Sequence, residues 1–296
     1  MADGLESRIA RLAASAGVDE IDGYADQQNA EQYEGEGEDV EEIEEVEEMQ
    51  LLAMLDAECD PLKVCRTIVR EDSALASTTI LSAADLTLLV DRGYVILDEA
   101  MPADVAFSAG AEAFARMDRG ELCSAGQLKR LDEDPFRDTR ARTDFVQFIS
   151  DRRLERNTPL GNAMATVEAI HEDLLKTMSL DKTGDEYQLA VYIPGGAYER
   201  HRDALPEGVR GSGGAGDLGM PPQRKITCVF YLGDRADFDP NAAGGELRLY
   251  PSPEGGGGSV DVAPLPGRVV IFFSGAVDHE VRTTRTRRAA LTLWAR

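Results

Sequence analysis

The segment from Thr158 to Met178 repeats apolar residues at intervals of three and four. Its apolar positions are Leu160, Met164, Val167, Ile170, Leu174 and Leu175. This period is typical of an amphipathic helix that buries one face. Two shorter helices are predicted before it. One starts at about Ser82 and ends at Gly93, where a strand over residues 94–97 follows, and one covers residues 102–118 with Pro102 near its start.

From residue 186 onward the pattern changes to short runs of β-branched and aromatic residues separated by Gly, Pro and Asp. The runs cover residues 187–193, 225–232, 246–250, 268–273, 279–282 and 289–295. Evenly spaced short strands predict two facing sheets. Because the helices come first and the strands second, we predict an α+β fold: a double-stranded β-helix, or jelly-roll, core at about residues 186–296, with N-terminal supporting helices.

Charge divides the chain at about residue 76. Residues 1–76 carry 22 Asp/Glu against 5 Lys/Arg, whereas residues 77–296 carry 33 against 26, and the whole chain has a net charge of −24. We therefore predict an acidic, largely disordered segment over residues 1–76, with one apolar stripe that allows a helix at 40–58, and a folded domain over 77–296. The segment either keeps the protein soluble or docks a basic partner.

Composition excludes some classes of protein. No stretch approaches the roughly 18 uninterrupted apolar residues of a membrane span, and the first residues lack the apolar block of a secretory signal. The four cysteines form no Cys-x-x-Cys pair, which favours reduced thiols. We expect a cytoplasmic or nuclear protein without a membrane partner.

Two of the three histidines of the chain fall in a pattern that can bind a metal. His201 and Asp203 are separated by one residue, and His279 follows later in a predicted strand, while His171 lies in the long helix. Two imidazoles and one carboxylate hold Fe(II) on one face and leave the other positions free for a co-substrate and dioxygen. The pattern therefore predicts an iron-dependent oxygenase.

Strand geometry predicts a second cluster near these ligands. Side chains two apart on a strand point the same way, so Arg288 and Thr292 share a face, and Tyr231 can join them from another strand. An Arg and a Tyr suit a carboxylate, because a guanidinium donates two parallel hydrogen bonds and a phenol adds a third. A dicarboxylate would then be held by the metal at one end and by Arg288 at the other. Trp294, in the same run, is predicted to be a core residue.

Five blocks of the chain, in the same order, resemble the prolyl 4-hydroxylase branch of the 2-oxoglutarate- and Fe(II)-dependent dioxygenases, above all the prolyl hydroxylases that act on hypoxia-inducible factor. The blocks are YIPGGAYERHRD ending at Asp203, RKITCVFYL ending at Leu232, GGELRLYP ending at Pro251, GRVVIFF ending at Phe273, and HEV…RAALTLW ending at Trp294. The resemblance covers residues from about 90 to 296.

The resemblance implies roles for individual residues. It makes His201, Asp203 and His279 the iron ligands, and it makes Arg288 and Tyr231, supported by Thr292, the partners of the far carboxylate of 2-oxoglutarate. It also implies O2 as second co-substrate and ascorbate as the reductant.

Three further residues are carried over by position. Tyr192 is a candidate for the metal-proximal end of 2-oxoglutarate, although Ile193 stands where the sensor enzymes have a Tyr before the Pro-Gly pair. Arg224 and Asp144 fall where those enzymes contact substrate, although the loop over residues 204–223 is longer here.

The resemblance implies oxidative decarboxylation of 2-oxoglutarate to succinate and CO2, coupled to hydroxylation of a prolyl residue in an intracellular protein. Three alternatives stay open at this stage: a nucleic-acid demethylase, an enzyme acting on free proline or another small molecule, and a catalytically silent jelly-roll domain that serves as a protein-binding module. The net charge of the folded domain disfavours nucleic acid, since phosphate contacts need a basic surface.

Overall fold

Two antiparallel sheets face each other, and helices cover the outside of the larger sheet. The structure, a computed structural model, describes residues 60–70, 78–125, 142–181, 185–204, 224–236 and 238–296. The helices in these ranges are α1 (Pro61–Cys65), α2 (Ala83–Arg92), α3 (Ala103–Asp118), α4 (Pro159–Thr177) and α5 (Pro240–Ala243). The predicted helix at 40–58 lies outside the described residues.

The larger sheet contains seven of the described strands. In spatial order they are β1 (Tyr94–Leu97), β9 (Val269–Phe273), β6 (Ile226–Leu232), β11 (Arg288–Ala295), β4 (Glu186–Tyr192), β3 (Phe145–Phe148) and β2 (Cys123–Ser124). The smaller sheet has the order β5 (Tyr198–His201), β10 (Asp278–Val281), β7 (Leu247–Tyr250) and β8 (Val260–Val262). The predicted α+β architecture with a double-sheet core is confirmed.

The first helix and strand of the core join where the sequence predicts. Ser82 caps α2 by accepting a hydrogen bond from the backbone of Asp85, and Gly93 ends the helix in the left-handed region at φ 82°. Only a residue without a Cβ adopts that conformation without strain. The chain then enters β1, which pairs with β9 in the core.

Helix α3 packs closely on the outer face of the larger sheet, against β4, β6 and β11. The approach is closest at Gly110, where a Cβ atom would lie 2.5 Å from the backbone of Gly233. Ala106, Ala109 and Ala113, on the same side of the helix, are fully buried. Small residues therefore bring the helix onto the sheet, and α4 packs beside α3.

No helix in the described ranges has both the length and the apolar character that crossing a membrane requires.

Residues 60–70 pack against the domain, although they precede the predicted boundary at residue 77. Leu62 and Ile68 are buried at 1% and 5% exposure. Arg66 donates to the carbonyls of Val90 (2.6 Å) and Asp91 (2.7 Å) at the end of α2. The apolar side chains of this short stretch were too few to stand out beside the acidic run that precedes them. The folded unit therefore includes residues 60–70.

Asp173 on α4 forms hydrogen bonds with the backbone of the segment that leads into α2. Its buried carboxylate accepts backbone hydrogen bonds from Thr79 (2.8 Å), Ile80 (2.7 Å) and Leu81 (3.1 Å), and Lys176 donates to it from the surface. Burial alone would raise the pKa of Asp173, but the backbone N–H groups hold it below the usual range. The carboxylate is therefore charged at neutral pH.

Replacing Asp173 by Ala should lower the free energy of unfolding by about 3 kcal/mol, because three backbone N–H groups, one of them buried, lose their acceptor. Since the folded-state pKa is lowered, this contribution should be complete at neutral pH and shrink as the pH falls below roughly 4. Urea denaturation at pH 7 and pH 3.5 measures both effects. Lys176→Met removes the exposed ion pair and leaves the three backbone hydrogen bonds to Asp173 in place, so it should cost under about 1 kcal/mol. Equal losses in the two variants would contradict the assignment.

Candidate metal centre

The three predicted ligand residues meet between the sheets. His201 on β5 and His279 on β10 are directly paired across the smaller sheet, and Asp203 follows β5. Nε2 of His201 lies 3.7 Å from Oδ1 of Asp203, and Nε2 of His279 lies 3.7 Å from Oδ2. One ligand atom from each residue falls within 4.8 Å of the others. This spacing is small enough for a single ion to contact all three.

Both imidazoles turn Nε2 toward this point and Nδ1 toward a backbone carbonyl. Nδ1 of His201 lies 2.8 Å from the carbonyl oxygen of Glu199, and Nδ1 of His279 lies 3.3 Å from that of Val277. A carbonyl only accepts, so Nδ1 carries the proton and the lone pair is on Nε2. Burial, with the neighbouring His279, lowers the pKa of His201 to about 4, so its ring is neutral at pH 7.

Asp203 is oriented by residues that the sequence analysis did not assign to the site. Its Oδ2 accepts hydrogen bonds from the Thr227 hydroxyl at 2.7 Å and from Nε1 of Trp294 at 2.9 Å. The Thr227 hydroxyl lies 2.8 Å from that of Ser274, which can donate to it in turn. With Oδ2 occupied, Oδ1 is left to bind a metal. Trp294 was predicted to be core, and it is buried, but its N–H also fixes a ligand.

The Asp203 carboxyl group is ionised at neutral pH. Burial raises the pKa of this carboxyl, but the nearby His279 and His201 outweigh burial and lower it to about 2. The cluster therefore offers two imidazoles and one carboxylate, the donor set that binds Fe(II) on one face.

Arg288 and Tyr231 lie together on the same inward face of the larger sheet. The Arg288 guanidinium carbon is 5.2 Å from the centre of the Tyr231 ring, and one of its terminal nitrogens donates to the carbonyl of Gly245. Both residues are buried, and Nε of Arg288 and the hydroxyl of Tyr231 have no hydrogen-bond partner among the described residues. Buried donors are rarely left unpaired. A ligand with a carboxylate would satisfy both.

The face between these two clusters carries small side chains. Ala190 on β4 and Ala290 on β11 are paired, and Thr292 on β11 pairs with Val229 on β6. Thr292 and Val229 each keep 8% exposure although the second sheet lies over this face, so solvent reaches them. Small side chains here leave room for a small molecule with one end at the metal ligands and the other at Arg288.

Tyr192 and Arg224 lie at opposite ends of this face. Tyr192 is paired with Arg288, whose guanidinium carbon lies 4.8 Å from the Tyr192 ring centre. Arg224 is at the other end, stacked 3.9 Å over the ring of Trp294 and hydrogen-bonded to Glu186 at 2.7 Å. Tyr192 therefore borders the Arg288 end, and Arg224 borders the metal end.

The buried position of Asp144 does not fit the prediction that this residue contacts substrate. It has no exposed surface, and both of its oxygens accept hydrogen bonds from Arg142, at 2.7 and 2.9 Å. A residue enclosed in this way cannot contact a macromolecule. The short Arg-Thr-Asp segment places Arg142 and Asp144 side by side, which the sequence alone did not indicate.

The comparisons with known proteins agree with this geometry. Residues 187–296 match the family model of the 2OG-Fe(II) oxygenase superfamily. Residues 187–296 form a 2OG-Fe(II) oxygenase domain. The matched residues contain the whole His201, Asp203 and His279 cluster and also Tyr231 and Arg288.

Solved structures similar to this chain include three prolyl hydroxylases. A prolyl-4-hydroxylase from Pseudomonas putida is 26% identical, with a TM-score of 0.55 over 72% of this chain and 97% of that one. A Trichoplax adhaerens prolyl hydroxylase, solved with a hypoxia-inducible-factor peptide, is 21% identical, with a TM-score of 0.54 over 71% and 86%. A Phytophthora capsici prolyl 4-hydroxylase is 22% identical, with a TM-score of 0.50 over 80% and 65%. The predicted resemblance is confirmed.

The family implies Fe(II), 2-oxoglutarate and O2, and the residues of this oxygenase fit all three. Three protein ligands leave coordination positions for the 2-oxo acid end of the co-substrate and for dioxygen. The unpaired donors of Arg288 and Tyr231 fit the other carboxylate. Burial raises the pKa of Tyr231, which keeps its hydroxyl protonated as a donor.

Replacing Thr227 by Val should weaken iron binding about 10-fold, because residues that orient a metal ligand typically contribute 10- to 100-fold in affinity. The substitution keeps the shape of the side chain and removes the hydroxyl that donates to Asp203. Competition with a colorimetric chelator under anaerobic conditions measures the affinity.

Thr292→Val is a matched control, since Thr292 lies on the same face without a hydrogen bond to a proposed ligand in the described structure. It should leave iron affinity within about twofold of the unsubstituted protein. Equal affinity in both variants would show that the Thr227 hydroxyl does not orient the site.

Proposed function

We propose that this oxygenase hydroxylates a prolyl residue of an intracellular protein and couples that reaction to decarboxylation of 2-oxoglutarate. The metal cluster on the smaller sheet and the unpaired donors of Arg288 and Tyr231 on the larger sheet are the observation that carries the co-substrate part. The prolyl part is supported by the likeness to the Pseudomonas putida prolyl-4-hydroxylase, which extends over nearly the whole of that protein.

In this proposal the chain's own residues bind and orient the reactants. His201, Asp203 and His279 hold the iron through one face, and Thr227 and Trp294 keep the Asp203 carboxylate turned toward it. Iron with 2-oxoglutarate and O2 supplies the oxidising chemistry, which yields succinate and CO2 and places one oxygen atom on a C–H bond of the substrate. Arg288 and Tyr231 fix the far carboxylate, so the reacting end is held at a constant distance from the metal.

Aromatic residues border the metal end of the site. Phe148 is 47% exposed and its ring centre lies 6.3 Å from that of Trp294, over which Arg224 is stacked. We propose that this edge receives the substrate segment, with Arg224 as a polar contact. An exposed aromatic beside a stacked guanidinium suits a peptide that presents a ring and backbone carbonyls.

The surface near the site does not favour a nucleic-acid substrate. Arg282 donates to Glu280, Arg287 pairs with Asp118, and Arg288 is buried. Three of the four arginines at residues 282–288 are therefore paired or buried, which reduces the positive charge available for phosphate contacts. A prolyl substrate remains the better proposal.

The free thiols of Cys65, Cys123 and Cys228 in the described residues support a reducing compartment, cytoplasm or nucleus. Ascorbate is proposed as the reductant that keeps the iron ferrous. The acidic residues 1–59 would dock a basic partner or maintain solubility.

Succinate release and substrate mass together test this function. The purified protein, Fe(II), 2-oxoglutarate and ascorbate are incubated with proline-containing peptides or a cell extract, and products are searched for a mass gain of one oxygen atom. We expect succinate formation that rises with substrate and a modified prolyl residue. Oxygen transfer to methyl groups of nucleic acid, or to free proline alone, would refute the prolyl-protein substrate while leaving the oxygenase assignment intact.

A further inference from the structure

Gln188 on β4 carries a third unpaired donor on the inward face of the larger sheet. It is paired with Thr292 on β11 and with Phe148 on β3, and it is 2% exposed. Its Oε1 accepts a hydrogen bond from Arg142 at 2.6 Å. Its Nε2 is buried and has no hydrogen-bond partner among the described residues. A buried amide nitrogen in that condition indicates a missing acceptor.

Arg142 fixes the direction of this amide. A guanidinium only donates, so the Gln188 atom that it contacts must be the oxygen, and the amide cannot be turned around. Arg142 is itself held by both oxygens of the buried Asp144. The two N–H bonds of Nε2 therefore remain directed away from Arg142, at a position set by a chain of three side chains.

The register of the strands places Gln188 nearer the metal than Arg288 is. Along β11, its partner Thr292 is two residues from Trp294, which bonds to Asp203, and four residues from Arg288. Arg288 and Tyr231 supply donors for one carboxylate at the far end of the face. The acceptor nearest to Gln188 would then belong to the other, 2-oxo acid end of the co-substrate.

We propose that the Gln188 amide donates a hydrogen bond to the metal-proximal carboxylate of 2-oxoglutarate, with Arg142 and Asp144 as positioning residues. This inference rests on the co-substrate placement of the proposed function. Asp144 and Arg142 thereby act on the co-substrate through Gln188. A 2-oxo acid without the far carboxylate should still use this contact.

Calorimetric titration of the Mn(II)-loaded full chain tests the contact without turnover. Two ligands are compared: 2-oxoglutarate, and 2-oxopentanoate, which keeps the 2-oxo acid end but lacks the far carboxylate. Gln188→Met removes the donor at similar volume and should weaken both ligands by a similar factor, roughly 10- to 100-fold, as expected for a hydrogen bond to a charged group. Gln188→Glu should weaken them more, because it places a carboxylate against the ligand. Mn(II) affinity should stay within about twofold in both variants.

The outcomes separate this inference from the proposed function. Binding of both ligands to Gln188→Met within twofold of the unsubstituted protein would overturn the contact. A loss confined to 2-oxoglutarate would assign Gln188 to the far carboxylate and overturn its placement. Failure of the unsubstituted protein to bind 2-oxoglutarate at all would instead contradict the proposed function.

A double-mutant cycle tests the positioning role of Arg142. Arg142→Lys keeps a positive charge beside Asp144, but a single ammonium group cannot replace the planar fork that contacts both Asp144 and Gln188. We expect it to weaken 2-oxopentanoate binding in the unsubstituted background and to add nothing in the Gln188→Met background. Fully additive losses would show that Arg142 acts independently of Gln188.

Discussion

His201→Ala should abolish iron-dependent succinate formation, with a loss of at least about 1,000-fold. The substitution removes one of the three protein ligands of the metal. The loss of activity should therefore exceed the 10- to 100-fold loss that is typical when a residue that only orients a ligand is replaced. Asp203 would also keep its two donors, Thr227 and Trp294, but lose the neighbouring imidazole. Succinate release per bound iron and the iron content after gel filtration measure the two effects.

His171→Gln is the matched control for this experiment. His171 is the remaining histidine of the chain, buried on α4 with its Nδ1 3.3 Å from Asp185, and it is not part of the metal cluster. We expect the control to lower thermal stability while keeping one iron per chain. Loss of iron from the control, or retention of iron and turnover by His201→Ala, would contradict the ligand assignment.

Arg288→Ala should weaken 2-oxoglutarate binding at least about 100-fold and leave iron binding nearly unchanged. The guanidinium is buried between the rings of Tyr192 and Tyr231, and its contact is proposed to be with the organic co-substrate alone. Charge-assisted hydrogen bonds contribute about 1.5–3 kcal/mol each, and two of them account for such a loss. Separate titrations with metal and with 2-oxoglutarate check both parts.

Arg287→Ala provides the comparison on the neighbouring residue. Arg287 faces the other side of the chain, where it pairs with Asp118 at 2.8 Å and lies near Phe114. Its removal should cost little stability and leave both affinities within about twofold. Equal losses of iron and 2-oxoglutarate in Arg288→Ala would mean that the residue supports the whole domain rather than one ligand.

Strong periodicity made the main elements predictable. The helix predicted at 158–178 is observed as Pro159–Thr177, and the run predicted at 289–295 is observed as Arg288–Ala295. The short strands β2, β3, β5 and β8 were missed, because runs of two to four residues are too short to show an alternation. Residues 60–70 were missed for a related reason: a helix of five residues has too few turns to show a period.

The candidate site was predictable where residue type alone limits the chemistry. Two histidines, an aspartate and an arginine in family order pointed to the metal and the co-substrate. In the structure the histidines lie on the smaller sheet and the arginine on the larger sheet, and the aspartate follows the strand of one histidine. Trp294 and Gln188 could not be assigned in this way. Their roles depend on which neighbour each side chain meets across the strands, and that register is fixed only by folding.

Asp144 is another residue whose neighbours could not be predicted from the sequence. The family resemblance suggested a substrate contact for Asp144, whereas folding encloses its carboxylate against Arg142 with no exposed area. Buried carboxylates are stable only when paired, so its partner rather than its sequence position sets its role. Sequence motifs identify the groups that perform the chemistry more readily than the groups that hold them in place.

A crystal structure of the full chain with Mn(II) and 2-oxoglutarate, with the metal located by anomalous scattering, tests the central claim most directly. The account predicts one metal ion bound by Nε2 of His201, Oδ1 of Asp203 and Nε2 of His279, with the far carboxylate of 2-oxoglutarate at Arg288 and Tyr231. A metal bound elsewhere, a fourth protein ligand on the ion, or a co-substrate carboxylate remote from Arg288 would contradict it.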